Sequence, residues 1–413
     1  MKLEKYSFGI GDRFGQQGPA QLKALLLAKS KGIEIVPVWN KSNREHQIIH
    51  SSPADTLLEA DAAVRQLQWN GPYYVDADHI NLNTVGPFLD YANFFTLDVA
   101  DYIGSAITEK ELQDFLKKAL AYEGELAIPG ISKAFHVTRD LLVFIAKSFL
   151  GAVREAAAIY AHIARHKGAG NFIAEISMDE VEEAQTPVEL FFILLMISQY
   201  GIPAQTIAPK FTGRFNKGVD YVGDTGLFRK EFEQDLLVID FAVKKFGLPE
   251  NLKLSVHSGS DKFSIYPVIG ELIKTQNKGI HVKTAGTTWL EEVIGLAMAG
   301  GEALQMAKKI YYNAYNRQEE LCEPYATVID IDPATLPVPN EVEQWNSQKF
   351  ATSLRNIPGH PNYDPGFRQL IHVGYKVAAE LGEEYLAMIR LHQDVVGEQV
   401  TNNIFERHIQ RLF

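Results

Sequence analysis

The sequence predicts a (β/α)₈ TIM-type barrel with a helical insertion and helical C-terminal additions. Two observations carry this. Short β-rich runs recur eight times between helical patterns, and most of these runs are near-continuously apolar rather than alternating. Strands buried on both faces read that way, as parallel strands between layers of helices must. A third observation is where polarity returns: several runs end in carboxylates, lysine or histidine, as in YYVDADH. Barrel strands carry site residues at their C-terminal ends. A doubly wound open sheet shares these patterns, because closure leaves no mark in a sequence.

Taken in order, the expected strands are YSFGIGD (6–12), IEIVPVW (33–39), YYVDADH (73–79), FFTLDVA (94–100), NFIAEIS (171–177), AQTIAPK (204–210), KLSVHSG (253–259) and GIHVKTA (279–285). In GPAQLKALLLAKSKG, Pro19 stands where a first helical turn tolerates it, and Leu22, Leu25 and Leu26 share a face. FRKEFEQDLLVIDFAVKKFG (228–247) and YPVIGELIKTQNKG (266–279) read the same way. Residues from about 101 to 170 interrupt the alternation with a long helical run, an inserted or enlarged crossover. From about 286 to 413 the chain reads as mostly helical. No Pro/Gly/Ser linker divides these parts, so one domain spanning 1–413 is expected.

Bulk properties narrow the function. A net charge of −11, with no basic run or stripe, excludes a phosphate-tracking nucleic-acid surface. The N-terminal segment has no apolar core of signal-peptide length, and no run reaches the ~18 apolar residues of a membrane span. Cys322 is the only cysteine, so an internal disulfide and a cysteine metal cluster are both excluded. A reducing, cytoplasmic setting is the expectation.

The strand ends supply the chemistry. The first ends in Asp12 and Arg13, with Gln16 just beyond; the third gives Asp76, Asp78 and His79; the fourth gives Asp98 and Asp101. Glu175 lies in the fifth, Lys210 ends the sixth, His257 ends the seventh, and His281 and Lys283 lie in the eighth. A lone strand-end histidine is more often a hydrogen-bonded core residue than a ligand. Three on separate strands, with carboxylates nearby, are the materials of a divalent-metal site. Glu175 inside an apolar run needs a cation, an ion pair or a proton-transfer task. Alternation points His281 and Lys283 to one side together. HSGSDKFS (257–264), with Ser258, has the content of an anion-binding turn, and RNIPGHPNYDPGF (355–367), with Arg355 and His360, that of a lid, clamp or plain connection. GIGDRFG (9–15) is one residue longer than the dinucleotide fingerprint and lacks its acidic partner, so no nicotinamide cofactor is expected.

Five blocks together resemble the tagaturonate epimerase family of bacterial hexuronate catabolism. They are FGIGDRFGQQGPAQL, YYVDADHINLNTV, LSVHSGSDKFSIYP, GIHVKTAGTTWLEE and NIPGHPNYDPGFRQLIHVGYK, spread over nearly the whole chain. The resemblance implies a metal-dependent barrel interconverting D-tagaturonate and D-fructuronate. Relatives act as tagatose 4-epimerases. The two ketouronates differ at a carbon β to the ketone, where enolisation does not acidify the hydrogen. Retro-aldol cleavage, rotation and re-addition then suit the residues better than redox chemistry. Asp78-His79, Glu175 and His257-Ser258-Gly259 also resemble class II aldolase positions, with a departure at Lys210, where no histidine stands.

The expected site follows from this. His79 and His257, with His281 or Glu175, hold a divalent zinc, manganese or nickel ion. Asp78 or Glu175 moves the hydroxyl proton. Asp12, Arg13, Gln16, Lys210, Ser258, Lys283, Arg355 and His360 contact a small sugar-acid substrate. Neither nucleic acid nor membrane is an expected partner, and a homo-oligomer is compatible. A metal-dependent aldolase or ketose 4-epimerase/isomerase on a related sugar is the alternative enzyme reading; a non-catalytic sugar-binding barrel is the alternative from another class.

Overall fold

A computed structural model describes residues 1–284 and 286–413. Eight parallel strands close into a barrel: β1 (Tyr6–Ile10), β2 (Val36–Ser42), β3 (Tyr74–Ile80), β4 (Phe94–Asp98), β5 (Ile173–Ser177), β6 (Thr206–Ala208), β7 (Lys253–His257) and β8 (Ile280–Lys283). Each neighbours the next in sequence, and β8 returns to pair with β1 through Ser7↔His281 and Gly9↔Lys283. Closure excludes the open-sheet alternative. Every expected run contains its strand or overlaps it. The second lies three residues later than expected, and position 285 of the last run lies outside the described residues.

The strands have two different faces. Phe8, Ile10, Trp39, Val75, Phe95, Leu97, Ile176, Leu254 and Val282 belong to the main apolar core, shared with the surrounding helices. Residues of the opposite parity line the lumen. At its lower end Val36, Val38, Tyr74, Phe94 and Ile173 form a small apolar plug with Leu3. Above the plug the lumen is polar, with Asp76, Thr96, Glu175, Ser255 and His281, and then Asp78, His257 and Lys283 at the mouth.

Connecting helices start and stop by local chemistry. Thr186 and Glu189 form a reciprocal capping box ahead of Pro187–Gln199. Asp224 accepts from the Gly226 and Leu227 amides to start Thr225–Phe246, which ends at Gly247 in the left-handed region (φ 67°). Between β4 and β5 the chain makes a helix (Glu109–Ala119), an antiparallel hairpin (Gly124–Leu126 with Phe135–Val137) and a helix of 29 residues (Arg139–Lys167). After β8 it is helical, and residues from Trp289 to Val396 build a second apolar cluster. Among the described residues no helix is long and apolar enough to cross a membrane.

Candidate active site at the barrel mouth

Strand alternation explains why Asp78 faces the lumen but not why its neighbour His79 does. Pairing of β3 with β4 runs Ala77↔Phe95 and then Ile80↔Leu97, so β3 carries one extra residue there. That bulge, with His79 in the left-handed region (φ 51°), turns its side chain toward the mouth. A β-bulge beside a site, holding a non-glycine residue at positive φ, stores strain that the surrounding fold must support.

Lys283 is the electrostatic hub. Its Nζ lies 2.7 Å from Asp76 Oδ2, 2.8 Å from Asp78 Oδ1 and 2.9 Å from Glu175 Oε1, and it also donates to Thr96 Oγ1. These contacts join β8 to β3 and β5, so they cross the lumen. Burial would lower the lysine pKa, but the three carboxylates outweigh it and hold the ammonium charged. Burial pushes Asp76 up to about 6, with Lys283 opposing and Asp78 and Glu175 adding to the rise. Burial also acts on Asp78 and Glu175, but Lys283 and the nearby imidazoles hold both below the usual carboxylate range. Asp78 Oδ2 further accepts from Asn40 Nδ2 at 3.2 Å.

Above this layer stand the imidazoles. His257 places Nε2 2.8 Å from Glu175 Oε1 and Nδ1 3.0 Å from Asp179 Oδ1. The second contact is off-line for a hydrogen bond, which leaves Nδ1 a buried nitrogen without a hydrogen-bond partner. His79 Nδ1 is 3.3 Å from Asp98 Oδ2, and Nε2 is 3.8 Å from Asp78 Oδ1. Burial opposes charging of His257, yet Asp179 and Glu175 raise it to about 9.

One ligand-capable atom from each of His79, Asp179 and His257 lies within 4.8 Å of the others. His79, Asp98 and Glu180 form a second such group. Two imidazoles and a carboxylate suit a divalent transition metal. The orphaned nitrogen and the Glu175 bond to the opposite ring nitrogen fit the usual arrangement, in which a carboxylate orients a ligating histidine from behind.

These groups open into a cavity of about 650 Å³ lined by Asp78, His79, Asp98, Asp179, His257 and Lys283, with Arg13, Lys210 and Lys217 among its cations. Of the strand-end residues singled out in the sequence, Arg13, Asp78, His79, Asp98, Lys210, His257 and Lys283 line this cavity.

Others are placed elsewhere. Glu175 lies fully buried beneath His257 and does not reach the cavity wall. His281, expected as a third imidazole, is a correction: it shares the lumen face with Lys283 but sits two residues, about 6.6 Å, deeper. There its Nδ1 meets Ser7 Oγ at 2.9 Å, and burial first of all lowers its pKa to about 3. Asp12 caps a turn through the Phe14 and Gly15 amides (3.0 and 2.9 Å), and Gln16 bonds the Phe14 carbonyl. Ser258 donates its hydroxyl to the Lys283 carbonyl at 2.7 Å. Arg355 binds Gln399, and His360 Nδ1 accepts from the Asn362 amide at 3.1 Å. None of these five lines the cavity, and each directs a polar side-chain atom to another part of the protein.

Sequence reasoning missed Asp179. The signal was present in ISMDE, an acidic pair just past the end of β5, where strand-end logic applies equally. It also missed Tyr325, His372 and Tyr375, which the C-terminal helices bring to the mouth. Arg13 stacks over Tyr375 (3.8 Å to the ring centroid), donates to the His372 carbonyl (3.1 Å) and pairs with Glu45 (3.1 Å). The contacts to His372 and Tyr375 span some 360 residues and leave no local pattern.

A closed parallel barrel with a polar lumen and a histidine–carboxylate mouth is an enzyme architecture. Residues 1–412 match the tagaturonate epimerase (UxaE) family. The tagaturonate/fructuronate epimerase of Thermotoga maritima is 30% identical over 424 aligned positions, covering 98% of this chain and 80% of that protein. Two structures of the fructuronate-tagaturonate epimerase UxaE from Cohnella laeviribosi share the fold. The form with one glycerol gives a TM-score of 0.82 and the native form 0.79, each at 22% identity over 100% of this chain and 82% of that one. The chain belongs to the tagaturonate epimerase family and is an isomerase-class enzyme.

Proposed function

We propose that the protein is a metal-dependent epimerase interconverting D-tagaturonate and D-fructuronate by retro-aldol cleavage and re-addition. The observation that carries this is the convergence of His79, Asp179 and His257 directly above the Lys283–carboxylate layer. His79, Asp179 and His257 would hold a divalent cation, which would supply Lewis-acid charge to the ketone-bearing end of the substrate.

The chain's own groups do the rest. Asp78 is the carboxylate that both contacts Lys283 and lines the cavity. It takes the proton from the hydroxyl on the inverting carbon. The O–H pair becomes the new carbonyl bond, and the pair of the adjacent carbon–carbon bond passes to the ketone-bearing half as an enediolate. After the aldehyde turns over, the bond re-forms on its other face and Asp78 returns the proton. Lys283 keeps Asp78 ionised. Glu175 acts through His257, fixing its ring from below. In this scheme the hydrogen on the inverting carbon is never removed.

Incubating the protein with D-tagaturonate and ¹³C-dihydroxyacetone tests this reading. Appearance of D-fructuronate, with label entering the ketone-bearing half of the sugar pool, is the expected result. Epimerisation without any label exchange, and without three-carbon fragments trapped by borohydride, would overturn the cleavage mechanism.

A further inference from the structure

We infer that Lys210 and Lys217, on the loop after β6, hold the substrate carboxylate and so retain the aldehyde half while it turns over. This rests on the epimerase reading above. In a six-carbon ketouronate the inverting carbon is β to the carboxylate as well as to the ketone. Cleavage therefore puts the carboxylate on the aldehyde half, the fragment that rotates. That half has no tie to the ketone end once the bond opens, so an anion contact is what keeps it in place.

The cavity's cations are not equally free to make that contact. Lys283 is committed to three carboxylates. Arg13 is paired with Glu45, and Arg214 with Asp330 at 3.2 Å. Among the described residues, Lys210 and Lys217 line the cavity half-buried without an acidic group in ion-pair range of either ammonium. Arg44 also lacks an acidic partner, but its guanidinium lies over the Tyr325 ring at 5.0 Å and is largely exposed.

Both lysine backbones are fixed by hydrogen bonds to neighbouring segments. The Lys217 amide donates to the Val328 carbonyl at 2.7 Å, and its own carbonyl accepts from Gln369 Nε2 at 3.0 Å. On either side of it, buried Lys262 binds the Asn216 and Val219 carbonyls at 3.0 and 2.7 Å, and buried Arg368 binds the Gly218 carbonyl. Gln185 binds both backbone groups of Lys210. Burying two cations under one loop is costly unless each is well satisfied, and here each is satisfied by loop carbonyls or by Asp261. The result is a loop whose backbone is held in place and which carries two ammonium groups without acidic partners among the described residues, a fitting receptor for a carboxylate.

Lys210→Met, Lys217→Met and the double variant test this with D-tagaturonate as substrate and dihydroxyacetone, which has no carboxylate, as inhibitor. Losing a charge-assisted contact is expected to raise KM for tagaturonate about 10- to 100-fold in the double variant. The share of turnovers releasing free three-carbon aldehyde should rise with it, while inhibition by dihydroxyacetone stays within about twofold, since that half touches neither lysine. Lys217→Arg, which keeps the charge, should restore most of the KM. Unchanged KM and unchanged fragment release would overturn the assignment, as would the same effects appearing in Arg44→Met instead. A wild-type protein that does not epimerise tagaturonate would instead overturn the underlying reading, before any lysine variant is compared.

Discussion

His79 and His257 stand on opposite sides of the barrel mouth, yet their rings meet at 5.1 Å between centroids, nearly perpendicular at 74°. Two strand ends, β3 and β7, bring them there, and a bulge with a left-handed residue completes the approach on the β3 side. Two half-buried imidazoles this close, with Asp179 beside one and Asp98 beside the other, are an arrangement that a shared cation explains economically.

Removing either ring, or the Asp179 carboxylate, should therefore remove the ion. His79→Ala, His257→Ala and Asp179→Ala are each expected to lose bound metal and to fall at least about 10²-fold in turnover, the scale of losing a Lewis acid's several kcal/mol. Elemental analysis beside circular dichroism checks this. A folded variant with full metal content would remove that residue as a ligand.

Asp78→Asn should separate chemistry from metal binding. The amide keeps the shape and the Asn40 contact region but accepts no proton. Turnover is expected to fall about 10²–10⁴-fold, the usual worth of a general base, with metal content unchanged. Near-normal turnover in this variant would move the proton to another group.

Glu175→Gln tests the buried support under His257. A neutral amide still reaches Nε2 but no longer balances Lys283 or holds the ring as firmly. Metal affinity should weaken about 10- to 100-fold, with turnover recovered at saturating metal. Loss of turnover that added metal does not restore would give Glu175 a direct part in the reaction.

The sequence carried the barrel because burial on both strand faces is a local property, written as apolar runs with polar ends. It placed His79, His257 and Asp78 at strand ends for the same reason. It did not carry the difference between neighbouring layers of one lumen: His281 and Lys283 share a face, and only the register Ser7↔His281 and Gly9↔Lys283 shows that the histidine lies a layer too deep. Nor did it carry the demands of the turn that uses up Asp12 and Gln16, or the cross-strand bond that takes Ser258 to the Lys283 carbonyl. The bulge at His79 was also illegible, since a one-residue register shift is a relation between two strands rather than a property of one.

Asp261 should carry stability rather than catalysis. Fully buried, it pairs with Arg368 at 2.9 Å and His408 at 3.1 Å, tying the loop after β7 to the C-terminal helices. Asp261→Ala leaves the Arg368 charge short of its partner and is expected to cost about 3–5 kcal/mol, read as a lowered Tm. Burial works against the Asp261 anion, but Arg368 and His408 outweigh it and hold its pKa below the unfolded value. The folded form thus binds fewer protons than the unfolded form near the unfolded pKa of about 3.9. This contribution is present above that pH and is lost as pH falls below it. Acid unfolding of wild type and Asp261→Asn checks the sign: the wild type should lose stability more steeply than the variant between pH 5 and 3, a window chosen to span about one unit either side of that value.

Turnover of D-tagaturonate by protein stripped with a chelator, before and after adding back zinc, manganese or nickel, bears most directly on the central claim. The expected result is activity that vanishes on stripping and returns as one ion per chain binds, with His79→Ala unable to recover it. Full turnover by stripped protein, with elemental analysis showing no metal, would contradict the claim.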